Sequence, residues 1–205
     1  QAEATHTYAS AGSHTVTMTG LAEAWSFNNV GDKLKITSVT DFGDLGWIDL
    51  AGAFSGCTNL TAFAGGNTAT VTDMFTMFAG ASSLTSLDLS NFNTAAVTSM
   101  LNMFAGASSL TSLDLSSFDT AKVTNMGFMF SGASSLTSLD LSSFDTALVT
   151  TMAYMFAGAS SLTTLNATGW KNVATSPVTN GASIFLGANA TLTVICDQGG
   201  SPGTG

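Results

Sequence analysis

Apolar and polar positions recur along this chain with a period of 26 residues. Phe104 to Met129 reads FAGASSLTSLDLSSFDTAKVTNMGFM, and Phe130 to Met155 repeats it almost unchanged. Phe78 to Met103 is the preceding copy. A looser copy of 24 residues opens at Phe54, one with three extra residues opens at Phe156, and Phe185 opens a last fragment. Self-similarity at such a period marks a stack of like units and outranks any local reading.

Within one unit the pattern predicts two elements. Leu110, Leu113 and Leu115 follow LxxLxL spacing, read as a short strand with Leu113 and Leu115 inward and Ser112, Asp114 and Ser116 outward. Phe118 plugs the turn that follows. Met126, Met129 and Phe130 fall at i, i+3 and i+4, a helical stripe. Thr124 stands where an N-cap belongs and Gly132 where a left-handed C-cap belongs. The expectation is about two turns of helix over 125–131. One unit cannot bury its own apolar face, whereas stacked copies can, with strands in parallel at roughly 4.8 Å per rung. The Met and Phe columns are then core, not a cofactor box.

The phrase SLTSLDLSSFDT, followed by VTNM and MFSGASS, resembles the BspA-like leucine-rich repeats of bacterial cell-surface proteins. The resemblance covers about 54–190. It implies an extracellular horseshoe or solenoid that mediates attachment to host proteins, matrix or other cells, with no catalytic residues. The expected fold class is therefore an α/β solenoid. It is a leucine-rich-repeat-like right-handed stack, with a parallel sheet on one face and short helices on the other.

Composition narrows the function classes. Of 205 residues only 8% are charged and 45% hydrophobic, yet Ser, Thr and Gly interrupt every run, so no stretch is apolar enough to span a bilayer. Hydroxyl groups take the solvating role of Lys and Glu. There is no Arg, the four Lys are Lys33, Lys35, Lys122 and Lys171, and the net charge is −9. Nucleic acid needs a basic face and is excluded as a partner, and an anionic membrane surface is disfavoured for the same reason. Cys57 occupies the column of Ala81, Ala107, Ala133 and Ala159, the place of a small buried thiol. Cys196 lies about five rungs away, beyond disulfide reach, and is free to pair outside the segment.

Taken in order, residues 1–20 begin with a polar, fraying start and an alternating run, Thr15 to Thr19, expected as a strand. HTYASAG…TVTMTG resembles the last two strands of a PKD-like β-sandwich, here a partial domain or an N-terminal cap. Residues 21–53 are the capping region, with a strand expected over Leu34–Val39 and a polar cluster of Asp41, Asp44 and Asp49. Residues 54–196 form the repeat region, broken by an insertion around Lys171–Pro177, with Trp170 taking the column of Phe92, Phe118 and Phe144. ATLTVIC at 190–196 is expected as a final strand. Residues 197–205 have linker composition. With no leader at Gln1, the chain is expected to be a mature or excised module.

Little in the sequence carries catalysis. No cysteine or carboxylate stands at metal-ligand spacing from His6 or His14 in the sequence, and the repeats contain no histidine to serve a serine. The carboxylates recur as a column, whereas a glycosidase needs one singular pair. That column is Asp88, Asp114 and Asp140, with Asn166 next, flanked by Ser86, Ser112 and Ser138 and by Ser90, Ser116 and Ser142. Like charges stacked at rung spacing repel, so the row reads either as a binding face or as solvated surface. Weak Ca²⁺ capture is a lesser alternative, since the D-x-D-x-D-G loop is absent. Asp119 and Asp145 are expected to organise turns. Two threonine columns, Thr72/Thr98/Thr124/Thr150/Thr179 and Thr68/Thr94/Thr120/Thr146, raise the alternative of an ice-binding lattice. The triplets at Asn59, Asn166 and Asn189 match the glycosylation pattern, a frequent coincidence in a Thr-rich chain.

The primary expectation is a non-enzymatic, secreted or surface-anchored adhesion module without cofactors or metal. It would recognise a protein or glycan through Ser86, Asp88, Ser90, Ser112, Asp114, Ser116, Ser138, Asp140 and Ser142. Ice binding and a structural spacer in a long adhesin are the alternatives.

Overall fold

The computed structural model describes residues 9, 12–171 and 184–196. Successive copies lie over one another in parallel register. The strands are β1 (Ser38–Val39), β2 (Ala62–Ala64), β3 (Ser86–Asp88), β4 (Ser138–Asp140), β5 (Thr164–Asn166) and β6 (Thr193–Ile195). They form two three-stranded parallel sheets, β1-β2-β3 and β4-β5-β6. Ser38 pairs with Ala62 and Ala62 with Ser86; Ser138 pairs with Thr164 and Thr164 with Thr193. A second line of parallel bridges runs through Ala24, Asp49, Asp73, Ser99, Asn125 and Thr151 without a break.

The core lies between these two lines. Leu84/Leu110/Leu136/Leu162, Val71/Val97/Val123/Val149 and the Met columns at 74/100/126/152 and 77/103/129/155 are buried. The Phe column at 54, 78, 104, 130, 156 and 185 stacks ring on ring, with centroids 5.5–5.8 Å apart and planes within 10°. Each buried side chain of this size contributes about 1.5–3 kcal/mol. Because one copy supplies only one ring per column, burial is completed by its neighbours. Toward the N-terminus Phe42 stacks on Trp47 at 4.5 Å, and Trp25 and Phe27 pack against the core.

The helix expected over 125–131 does not form, and no α-helix is present among the described residues. The reason lies in how the amides are shared. The N–H groups of Met126, Phe128, Phe130 and Gly132 donate along the stack to the carbonyls of Thr151, Ala153, Met155 and Ala157, at 2.7–3.0 Å. Those of Met129, Ser131 and Ala133 donate three residues back, to Met126, Phe128 and Phe130. A helix needs every amide for its own fourth-back carbonyl. The result is a chain of tight turns, with Phe128 and Gly132 in the left-handed region at φ 55° and 71°. The i, i+3, i+4 stripe buries the same residues in either geometry. Thr124 accordingly caps no helix, and its hydroxyl donates to the Thr98 carbonyl of the rung below at 3.2 Å.

Other expectations are trimmed. The strand over Leu34–Val39 shortens to Ser38–Val39, because Lys33 to Lys35 turn, with the Lys35 amide donating to the Asp32 carbonyl. Thr15 to Thr19 forms no strand; Val16 and Met18 are exposed, and no strand among the described residues pairs with them. The final strand is Thr193–Ile195. Cys57 is buried with Ala81, Ala107, Ala133 and Ala159, and both cysteines are free thiols. Burial pushes the Cys57 thiol up to about 12, against a small opposing pull from Lys33. His6, Thr179, the 172–177 part of the insertion and the tail at 197–205 lie outside the described residues.

Candidate functional site

The strand face carries the sequence-predicted residues. Ser86, Asp88, Ser90, Ser112, Asp114, Ser116, Ser138, Asp140 and Ser142 are all exposed and lie along the same side of the stack. Register places Ala64 beside Asp88 at one end of the acidic row and Asn166 beside Asp140 at the other.

Each aspartate is fixed by its own chain. Asp88 Oδ1 accepts the Ser90 amide at 3.0 Å and the Ser90 hydroxyl at 2.7 Å. Asp114 accepts the Ser116 amide at 2.9 Å, and Asp140 the Ser142 amide at 2.9 Å. This is the turn chemistry by which Asp bonds a backbone amide two residues on. The consequence is electrostatic. The Ser90 hydroxyl and then its amide hold the Asp88 carboxyl below the ordinary carboxylate range, and Ser142 does the same for Asp140. For Asp114 the Ser116 amide is the larger influence, then its hydroxyl. Hydrogen bonds to the charged form favour it, so the row is anionic at neutral pH. Among the described residues the ion pairs are Lys35–Asp32 and Lys171–Asp145, so no lysine neutralises the row.

Ser112 to Asp114 is not a ladder strand. Residues 112–115 make no backbone–backbone hydrogen bond to the rung on either side, among the described residues. Two clefts flank this segment. One of about 130 Å³ is lined by Leu87 to Ser90, Asp114, Ser116 and Ser117. The other, of about 340 Å³, is lined by Leu113 to Ser116, Asp140, Ser142 and Ser143. Ser117 and Ser143 were not among the expected face residues. Their place three residues after Asp114 and Asp140 is the sequence signal that finds them.

The threonine columns are occupied internally. Thr68, Thr94, Thr120 and Thr146 are buried, and each hydroxyl donates to a carbonyl of the next rung at 2.7–3.0 Å. Thr98, Thr124 and Thr150 donate to Thr72, Thr98 and Thr124 carbonyls. A hydroxyl committed to main chain has less to offer a lattice of water. Asp119 and Asp145 organise turns, accepting the amides of Ala121 and Ala147 at 3.0 and 2.9 Å. Among the described residues no three His, Cys, Asp or Glu side chains converge to hold a metal ion.

Residues 48–170 and 88–195 match the family described as Mycoplasma protein of unknown function, DUF285. No curated protein and no solved structure matches the chain.

Proposed function

We propose that this chain, which belongs to the DUF285 family, is a non-enzymatic extracellular binding module that recognises a protein or glycan partner through its strand face. The family occurs in BspA-like surface proteins, and the SLTSLDLSSFDT phrase resembles their leucine-rich repeats. On this reading the parallel stack is a right-handed leucine-rich-repeat-like solenoid, and its N-terminal segment is the end of a PKD-like domain. The module is secreted or held at the cell surface, and it works by presentation, without cofactor or catalytic group.

The observation that carries the reading is the un-neutralised row of Asp88, Asp114 and Asp140. Each is exposed and each is held by its own turn, so the hydrogen-bonding geometry exists before any partner arrives. A surface built only for solubility has no need of carboxylates aligned at rung spacing, where they repel. The charge of the row fits a partner surface with cationic or hydrogen-bond-donating groups.

The test is a folded triple variant, Asp88→Ala, Asp114→Ala and Asp140→Ala, assayed for adhesion to host cells and matrix proteins. Loss of adhesion with an unchanged far-UV spectrum supports the face. Adhesion equal to that of the parent chain removes it.

A further inference from the structure

A second exposed feature lies on the turn side of the stack. Thr76, Asn102, Phe128 and Tyr154 hold the same place in successive rungs, and all four have φ between 53° and 58°. That left-handed conformation suits Gly or Asn and is strained for a bulky side chain. Two successive copies nonetheless carry an aromatic ring there. Neither ring enters the core: Phe128 is 38% exposed and Tyr154 half-buried, while their neighbours Met129 and Met155 are fully buried. Core packing therefore does not account for the choice, and strain kept at an exposed position points to a use.

The two rings stack with centroids 4.9 Å apart and planes 22° apart. That spacing is about one rung, so ring lies over ring along the stack. The other face of Phe128 is turned toward the preceding rung, where the column steps down to the short side chains of Asn102 and Thr76. The result is an aromatic wall, backed by Tyr154, standing over a polar floor. Leu101 lies alongside across Gly127, its Cδ1 3.2 Å from where a Cβ of that glycine would stand.

The polar groups at this step are unspent. Asn67, Asn93 and Asn125 each use Oδ1 to accept the amide two residues on. The side chain of Asn102 and the hydroxyl of Tyr154 bond no protein group among the described residues. The surroundings carry no charge either: residues 99–109, 125–135 and 151–161 contain no Asp, Glu, Lys, Arg or His.

We propose that this step binds a neutral saccharide. The C–H face of a pyranose ring lies flat on the open face of Phe128, and the Asn102 carboxamide bonds its hydroxyls. An aromatic face with a few free polar groups suits a ligand that is apolar on its faces and hydroxylated around its rim. A charged partner finds nothing here to pair with, and a wholly apolar one would leave the Asn102 amide unpaired. The site lies across the core from the acidic row and does not rest on that row having a partner.

The test is saturation-transfer NMR and titration calorimetry of the whole chain with cellohexaose, chitohexaose, maltohexaose and mannohexaose. At least one of them should bind. Phe128→Asn installs the residue that Asn102 shows this backbone to accept, and it should weaken that binding by about tenfold or more. Asn102→Gly keeps the left-handed turn, removes the amide and should weaken it by about threefold or more. The combined Asp88→Ala, Asp114→Ala and Asp140→Ala variant should bind the sugar as the parent chain does. Failure of all four sugars to bind, or equal binding by Phe128→Asn and the parent chain, overturns the proposal. So does loss of binding in the triple aspartate variant, which would put the sugar on the acidic row. A parent chain that sediments as a dimer, with Phe128→Asn a monomer, also overturns it, because a second copy would then cover the wall.

Discussion

Thr94 and Asp119, one rung apart, are joined twice through a single hydroxyl. Thr94 Oγ1 donates to the Asp119 carbonyl at 2.9 Å and accepts the Asp119 amide at 2.8 Å. Thr68 does the same with Asn93, and Thr146 with Lys171. A buried side chain thus takes the place of a ladder bond where the backbone bends away. Replacing Thr94 with Val keeps the shape and strands both Asp119 groups. We expect a loss of about 1–3 kcal/mol, read by urea denaturation, with Thr94→Ser recovering most of it. Equal stability of the Val and Ser variants contradicts this role.

The Phe column should respond according to position. Phe104 is fully buried between Phe78 and Phe130. Phe104→Ala should cost about 3–5 kcal/mol. Phe185 ends the column and is 38% exposed, so Phe185→Ala should cost clearly less. Thermal or chemical denaturation separates the two, and equal losses would mean that the stack is not continuous.

Gly106 requires its glycine for backbone reasons, since φ is 70°. An added Cβ would lie 3.6 Å from Gly80, an ordinary contact, so the cost is conformational and not steric. Gly106→Ala should lose about 1–2 kcal/mol. A neutral result in denaturant titration would show that the turn is not left-handed there.

Acid should weaken the fold. Asp88, Asp114, Asp140 and Asp145 all have carboxyls below their ordinary value, Asp145 through the Ala147 amide first and then Lys171. A carboxyl lowered in the folded state contributes stability above its unfolded pKa of about 3.9. That contribution is lost as pH falls through the folded value. The midpoint of thermal unfolding should therefore stay level from pH 7 to about 5 and fall below about 4. A midpoint that rises on acidification contradicts the turn bonds.

The 26-residue period makes the stack, its core columns and the exposed row legible in the sequence. Leu, Met and Phe at fixed offsets have one physical solution, since each unit is too small to bury them alone. The stripe does not distinguish helix from turns, because Met126, Met129 and Phe130 point inward equally well from successive turns. What decides between them is the sharing of amides with Thr151 and Ala153, which periodicity does not report. The buried threonines were hidden for a related reason. A hydroxyl at Thr94 looks solvent-facing in composition until the next rung supplies Asp119 to bond it. The missing strand at 112–114 could not come from a local reading, because SLTSLDLS at 109–116 equals the sequence of its paired neighbours.

The stacking of copies in register is tested most directly by engineered cross-linking. In a background of Cys57→Ala and Cys196→Ala, cysteines replace Thr98 and Thr124, adjacent rungs joined by the Thr124 amide to the Thr98 carbonyl at 2.9 Å. Mild oxidation should give a near-complete intramolecular disulfide, since parallel neighbours at roughly 4.8 Å fall within the Cα range of such a bond. A control pair at Thr98 and Thr111, half a period apart, should stay reduced. Cross-linking of the control with none between positions 98 and 124 would contradict the stack.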